Sequence, residues 1–150
     1  MDFFIKQLDE SFKTKVLELI AEDDLRPEGI LEKGSKYWGA FWEKELIGVI
    51  GCEIENQYGI LRSALVHKQF RKKGIAEKLT GALLQNAKED KLKTIYLFST
   101  EAGAYWTRLG FTETTVQEVL EKLPDSYQVK LFEKLGWLPT EIAFKYCLTD

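Results

Sequence analysis

The stretch from Ile60 to Phe98 constrains the fold more than any other part of the chain. It opens with an apolar run, Ile60–Val66, and turns through the basic residues Arg71-Lys72-Lys73-Gly74. Ala76, Leu79, Leu83 and Ala87 then recur as one helical stripe, widened by Ile75 and Ala82, before a second apolar run at Lys93–Phe98. Two apolar strands separated by an amphipathic helix predict a strand–helix–strand crossover, which commits the chain to an α/β architecture.

The flanking segments are shorter. Phe3–Leu8 predicts an edge strand, and Asp9 and Ser11 are N-cap candidates for a helix on Phe12, Val16, Leu19 and Ile20. Pro27 and Gly29 end that helix near Asp23–Asp24. Tyr37–Trp42 and Leu46–Glu55 read as strands about the polar turn Glu43-Lys44-Glu45, and Asn56-Gln57-Tyr58-Gly59 has hairpin chemistry leading into Ile60–Val66. After the crossover come a short helix at Ala102–Leu109 stopped by Gly110, a strand at Phe111–Thr115, helices at Val116–Lys122 and Ser126–Leu135, and a closing strand at Glu141–Leu148. No linker, repeat or low-complexity segment interrupts them. Residues 1–150 are therefore expected to form one domain, large enough for a full core.

Composition removes several function classes. An apolar content of 45% with 30% charged residues is that of a globular protein, and no apolar run approaches the roughly 18 residues of a membrane span. The start, Met1–Lys6, has no signal-peptide pattern. Cys52 and Cys147 lie outside any metal-ligand spacing and read as reduced, buried thiols of a cytoplasmic protein; Cys52 has no activating partner that would make it a nucleophile. His67 is the only histidine, so a two-His metal site is excluded and no metal is expected. A net charge of −3 offers no general attraction to nucleic acid or anionic membrane, and a nucleic-acid contact through Lys68–Lys73 is disfavoured. Any anion site must be local.

Arg71–Ala76 is the local candidate. The start of a helix leaves backbone N–H groups unpaired and carries partial positive charge, so it suits a phosphate. Gly74 allows close backbone approach, Ala76 keeps the next turn open, and Arg71, Lys72 and Lys73 add charge. In isolation such a hexapeptide is a solvated basic turn; inside the crossover it stands where ligands bind in open α/β sheets. The spacing is neither G-x-G-x-x-G nor a P-loop.

Leu65-Val66-His67, Arg71-x-x-Gly74-x-Ala76 and Tyr105-Trp106-Thr107-Arg108-Leu109-Gly110-Phe111 together resemble the GNAT superfamily of N-acetyltransferases. Leu61-Arg62-Ser63 and Leu135–Glu141 are similar to its arsenic-resistance N-acetyltransferase branch. The resemblance implies a single-domain fold with a mixed, mostly antiparallel, splayed sheet and helices on both faces. It implies acetyl-CoA as cosubstrate without a metal, its pyrophosphate at Arg71, Lys72, Lys73, Gly74, Ile75 and Ala76. The pantetheine arm would pair with the backbone of Ala64, Leu65 and Val66 like an added strand. The partner is then a small-molecule amine, and the oligomeric state is monomer or homodimer.

Attack of a neutral amine on a thioester needs a base, an oxyanion donor and an acid for the leaving thiolate. The family's tyrosine acid precedes the final Phe by five residues, where this chain has Trp106, whose indole N–H cannot give up a proton at usable pH. Tyr105, about 100° around the helix, is the candidate acid; unassisted departure of the thiolate is the alternative. Ser99 stands where many relatives have an Asn touching the cofactor. Glu53 is the candidate base: an even-numbered loop at Asn56–Gly59 would bring it opposite or diagonal to Arg62. Arg62, set among Leu61, Ala64, Leu65 and Val66, needs a partner. Arg62 would clamp an acceptor carboxylate and Glu53 hold the amine of an amino-acid-like acceptor, or the two would form a structural ion pair. Trp38, Trp42, Trp106 and Trp137 are expected in the core or in an acceptor-pocket wall. The second functional class is a catalytically silent acyl-CoA-binding module.

Overall fold

Chain order in the computed structural model, which describes residues 2–23 and 25–148, is β1 (Phe3–Leu8), α1 (Lys13–Ala21), β2 (Ser35–Trp42), β3 (Glu45–Glu55), β4 (Tyr58–Val66), α2 (Ile75–Glu89), β5 (Thr94–Phe98), α3 (Gly103–Arg108), β6 (Thr112–Thr114), α4 (Val116–Lys122), α5 (Tyr127–Lys134) and β7 (Ala143–Cys147). The strands form one mixed sheet in the order β1-β2-β3-β4-β5-β7-β6. β1 is the expected edge strand, antiparallel to β2 with Phe3 opposite Trp42. β4 and β5, joined through α2, pair in parallel at Tyr58, Gly59 and Ile60, as a crossover requires. β7 lies antiparallel between β5 and β6.

Expected boundaries move by one or two residues. The loop after β3 is Asn56-Gln57 alone, with Asn56 left-handed at φ 57°, so β4 begins at Tyr58 and not Ile60. The preceding hairpin likewise turns on two residues, with Glu43 at φ 56°. Helix α1 ends at Ala21, and Asp24 lies outside the described residues. Ala76 is half-buried: Ile75, Leu79, Thr80, Leu83 and Ala87 carry the buried face of α2. One burial expectation fails, since Cys147 is exposed near the end of β7; Trp137, 40% exposed, lies outside the core.

Contacts group the chain into two compact units. The first comprises residues 1–52 and 62–86. Its core joins Val16, Leu19 and Ile20 of α1 to Tyr37, Phe41, Val49 and Leu65. A side chain at Gly48, one position from Val49 and so on the other side of β3, would meet Leu79 and Ile75 of α2. The strands of this unit are thus covered by α1 on one face and α2 on the other. The second unit comprises residues 53–61 and 87–150. Ile60, Tyr96 and Ala143 pack with Val119 of α4, Leu123 just after it, and Val129 of α5. Phe144, of opposite parity to Ala143, lies 3.1 Å from where a Gly103 side chain would begin, which puts α3 on the other face.

Candidate functional site

In the first unit, β4 departs from regular strand geometry before it reaches the loop. Ser63 is left-handed at φ 57°, a conformation costing a non-glycine residue roughly 1–2 kcal/mol. Burial changes at the break: Ile60, Leu61 and Arg62 are buried, Ala64 is exposed, and Leu65 and Val66 are buried again. Parity arguments carried along β4 from its hairpin therefore stop at Arg62.

Beyond Val66 the chain makes a 3-10 turn, Lys68–Phe70, capped by the His67 ring, whose Nδ1 accepts from the Gln69 amide at 3.2 Å. The His67 amide donates to the Ile47 carbonyl at 2.7 Å, fixing the start of the turn on β3. Arg71 is extended, Lys72 is left-handed at φ 64°, and Gly74 is left-handed at φ 81°. Nothing stands within 4 Å of where a Gly74 side chain would be, so glycine is required here by backbone conformation, and the space before it is open. Gly74 accepts the first bond of α2, from the Lys78 amide, which leaves the preceding helix-start N–H groups without intrahelical partners. Arg71, Lys72, Lys73 and Gly74 are exposed; Ile75 is buried and anchors the turn. The turn therefore leaves an open, exposed surface at the start of α2, bordered by Lys72 and Lys73.

The Arg71 guanidinium faces the protein. Its Nε donates to the Val66 carbonyl at 2.9 Å, and its Nη2 donates to Asp23 Oδ2 at 2.6 Å. Glu22 meets the same segment, with Oε1 3.3 Å from His67 Nε2. A cleft of about 310 Å³ beside His67 sets Lys15 and Lys44 against Glu18, Glu22 and Glu45, a mixed charge that gives no preference for an anion.

Arg62 is 7% exposed and donates from Nη2 to the Arg26 carbonyl and from Nε to Ser63 Oγ, both at 3.2 Å. In the second unit, Glu53 is 5% exposed and sits at the start of α5. It accepts from Ser126 Oγ at 2.8 Å and from the Gln128 amide at 3.2–3.3 Å, while Ser126 Oγ caps α5 through the Val129 amide. Opposite charge at a helix N-terminus accounts for this placement. Sequence reasoning missed the partners Ser126 and Gln128, which lie more than seventy positions away.

On α3, Trp106 is buried and packs edge-to-face on Tyr105 at 5.0 Å and on Phe111 at 5.5 Å. Phe111 in turn meets Tyr146 of β7. Arg108 lies over the Tyr105 ring. Ser99 Oγ accepts from the Ala102 amide at 3.1 Å and so supports the start of α3. Among the described residues no group of three or more His, Cys, Asp or Glu is placed to hold a metal, and no helix is long and apolar enough to cross a membrane.

Residues 6–126 match the family model of the acetyltransferase (GNAT) domain. No curated protein matches the sequence. Among solved structures, a GNAT-family acetyltransferase from Staphylococcus aureus Mu50 superposes with a TM-score of 0.77 at 19% identity, covering 99% of this chain and 100% of that one. The N-acetylglutamate synthase of Neisseria gonorrhoeae, solved with coenzyme A and N-acetyl-glutamate, gives 0.80 at 19% identity; the match covers all of this chain but 36% of that one. The PaiA N-acetyltransferase of Thermoplasma acidophilum, solved with coenzyme A, gives 0.71 at 13% identity over 98% and 99% of the two chains. At these identities the likeness is one of fold.

Proposed function

The chain belongs to the GNAT acetyltransferase family, and on that premise we propose that it transfers the acetyl group of acetyl-CoA to the amine of a small, amino-acid-like acceptor. The observation that carries the reading is the Arg71–Ala76 turn: two left-handed residues, open space before Gly74, and the start of a 15-residue helix. Backbone N–H groups there would hold the pyrophosphate, with Lys72 and Lys73 adding charge. The backbone of Ala64, Leu65 and Val66, past the last residue of β4 that pairs with β5, would take the pantetheine arm. Coenzyme A bound to two neighbours of the same fold supports the cosubstrate, and N-acetyl-glutamate bound to one supports an amino-acid-like acceptor.

In the reaction the amine nitrogen attacks the thioester carbonyl carbon, the oxyanion collapses, the C–S bond breaks and CoA leaves as thiolate. The amine proton passes to a base, for which Glu53 is the candidate, and Arg62 is the candidate for an acceptor carboxylate. Tyr105 is the candidate acid. Trp106 favours a second reading, a silent acyl-CoA-binding module, because it fills the family's tyrosine position with a group that cannot donate its proton. In either case residues 1–150 act as one domain in the cytoplasm, as monomer or homodimer, without metal, nucleic acid or membrane.

Calorimetry with CoA and free-thiol release over a panel of amines test the reading. Wild-type protein binds CoA and turns over at least one amine, and Gly74→Asp abolishes binding while leaving the helix folded. Undiminished CoA affinity in that variant would move the cofactor site elsewhere. CoA binding without turnover of any amine would select the silent module.

A further inference from the structure

The loop between Val66 and Gly74 must hold an unfavourable backbone. Lys72 and Gly74 are both left-handed, and Lys72 has a side chain that disfavours that conformation. Such geometry persists only where the surroundings over-determine it. Within the loop, Arg71 Nε closes a ring back to the Val66 carbonyl, tying the end of β4 to the residue before Lys72. That ring is held from outside by Asp23, just past the C-terminal end of α1, whose Oδ2 accepts from Arg71 Nη2 at 2.6 Å. Its neighbour Glu22 meets His67 at the loop's other end.

We propose that Asp23 is a positioning residue for acetyl-CoA: through Arg71 it fixes the loop in the conformation that points backbone N–H groups at the pyrophosphate. The inference rests on reading that loop as the cofactor site. Its logic runs against simple electrostatics, since a carboxylate near a phosphate site repels the ligand. Removing the charge would tighten binding if Asp23 acted only through its field. Asp23 makes the opposite contribution because it engages the guanidinium, keeping Arg71 on Val66 instead of leaving a long cation free to sample other rotamers.

The sign of one substitution separates the two effects. In Asp23→Asn the affinity for CoA, measured by calorimetry, falls about three- to tenfold, the range of a lost charge-assisted contact plus loop ordering. The pair is partly exposed, so thermal unfolding without CoA stays close to wild type. Asp23→Glu, which keeps the carboxylate, recovers most of the affinity. Arg71→Lys, which loses the rigid two-nitrogen fork that spans Val66 and Asp23, weakens CoA to a similar degree, and the double variant with Asp23→Asn is no worse than either single one. Unchanged or tighter CoA binding by Asp23→Asn would overturn the inference, as would weakening that merely tracks a lowered unfolding temperature, or additive losses in the double variant. Wild-type protein that binds no CoA would instead overturn the cofactor reading on which it rests.

Discussion

At residue scale the two catalytic candidates stand in different physical situations. Glu53 accepts from a hydroxyl and a backbone amide at the start of α5, bonds that hold its carboxylate in place. Glu53→Gln removes the charge and replaces one of the two acceptor oxygens with a donor, beside the donors Ser126 and Gln128. Chemical denaturation should show a loss of about 1–3 kcal/mol. The folded variant's kcat then separates the roles: a drop of roughly 10²–10⁴ marks a base, and a value near wild type marks an anchor. Tyr105 flanks a buried indole, and Tyr105→Phe should change turnover by less than about tenfold if the thiolate leaves unassisted; a larger loss would make Tyr105 the acid. The sequence exposed the residue types, since Gly74 and the basic run are contiguous. It hid their partners: nothing near Arg71 in the sequence points to Asp23, 48 positions away, which accepts from its guanidinium.

Elements were legible wherever a periodic pattern ran long. Helix α2 repeats its apolar stripe over four turns, and the structure places it at Ile75–Glu89 as its spacing requires. β4 shows the opposite case. Its first residues, Tyr58 and Gly59, have turn chemistry but pair with Thr94 and Ile95, because tertiary pairing outweighs local preference. Nothing in the residue type marks Ser63 as left-handed, so the break in β4 before the proposed pantetheine site was not readable. The short 3-10 turn at Lys68–Phe70 is equally silent in periodicity. Helix α5 offers a test at this scale. Ser126 caps it and also donates to Glu53, so Ser126→Ala should lower stability by about 1–2 kcal/mol in urea denaturation, toward the upper range for a lost cap. A loss below a few tenths would mean that α5 is held by packing alone.

Over the whole molecule, the sequence predicted an α/β chain with one crossover but not the order of its strands. The final strand, β7, inserts between β5 and β6, and no local pattern encodes which neighbour a strand chooses. One consequence is a carboxylate network joining four elements. Glu118 of α4 accepts from Tyr96 of β5 at 2.7 Å and from Thr114 of β6 at 2.8 Å, and pairs with Lys145 of β7 at 3.2 Å. The Tyr96 bond, followed by those of Thr114 and Lys145, holds the Glu118 carboxyl below its ordinary range, while burial and then Glu118 push the Tyr96 phenol up. A carboxyl depressed in the folded state binds protons more readily when unfolded. Its contribution is therefore complete above the unfolded value of about 4.3 and is lost as pH falls toward the lower folded value. Glu118→Gln should therefore cost about 1–2 kcal/mol at pH 7, as for a hydrogen-bonded charge, and progressively less below pH 4. Urea unfolding of both proteins at pH 7, 4 and 3 reads this directly: the gap between them should narrow with acid, whereas a constant gap would mean that shape, not charge, makes Glu118 stabilising.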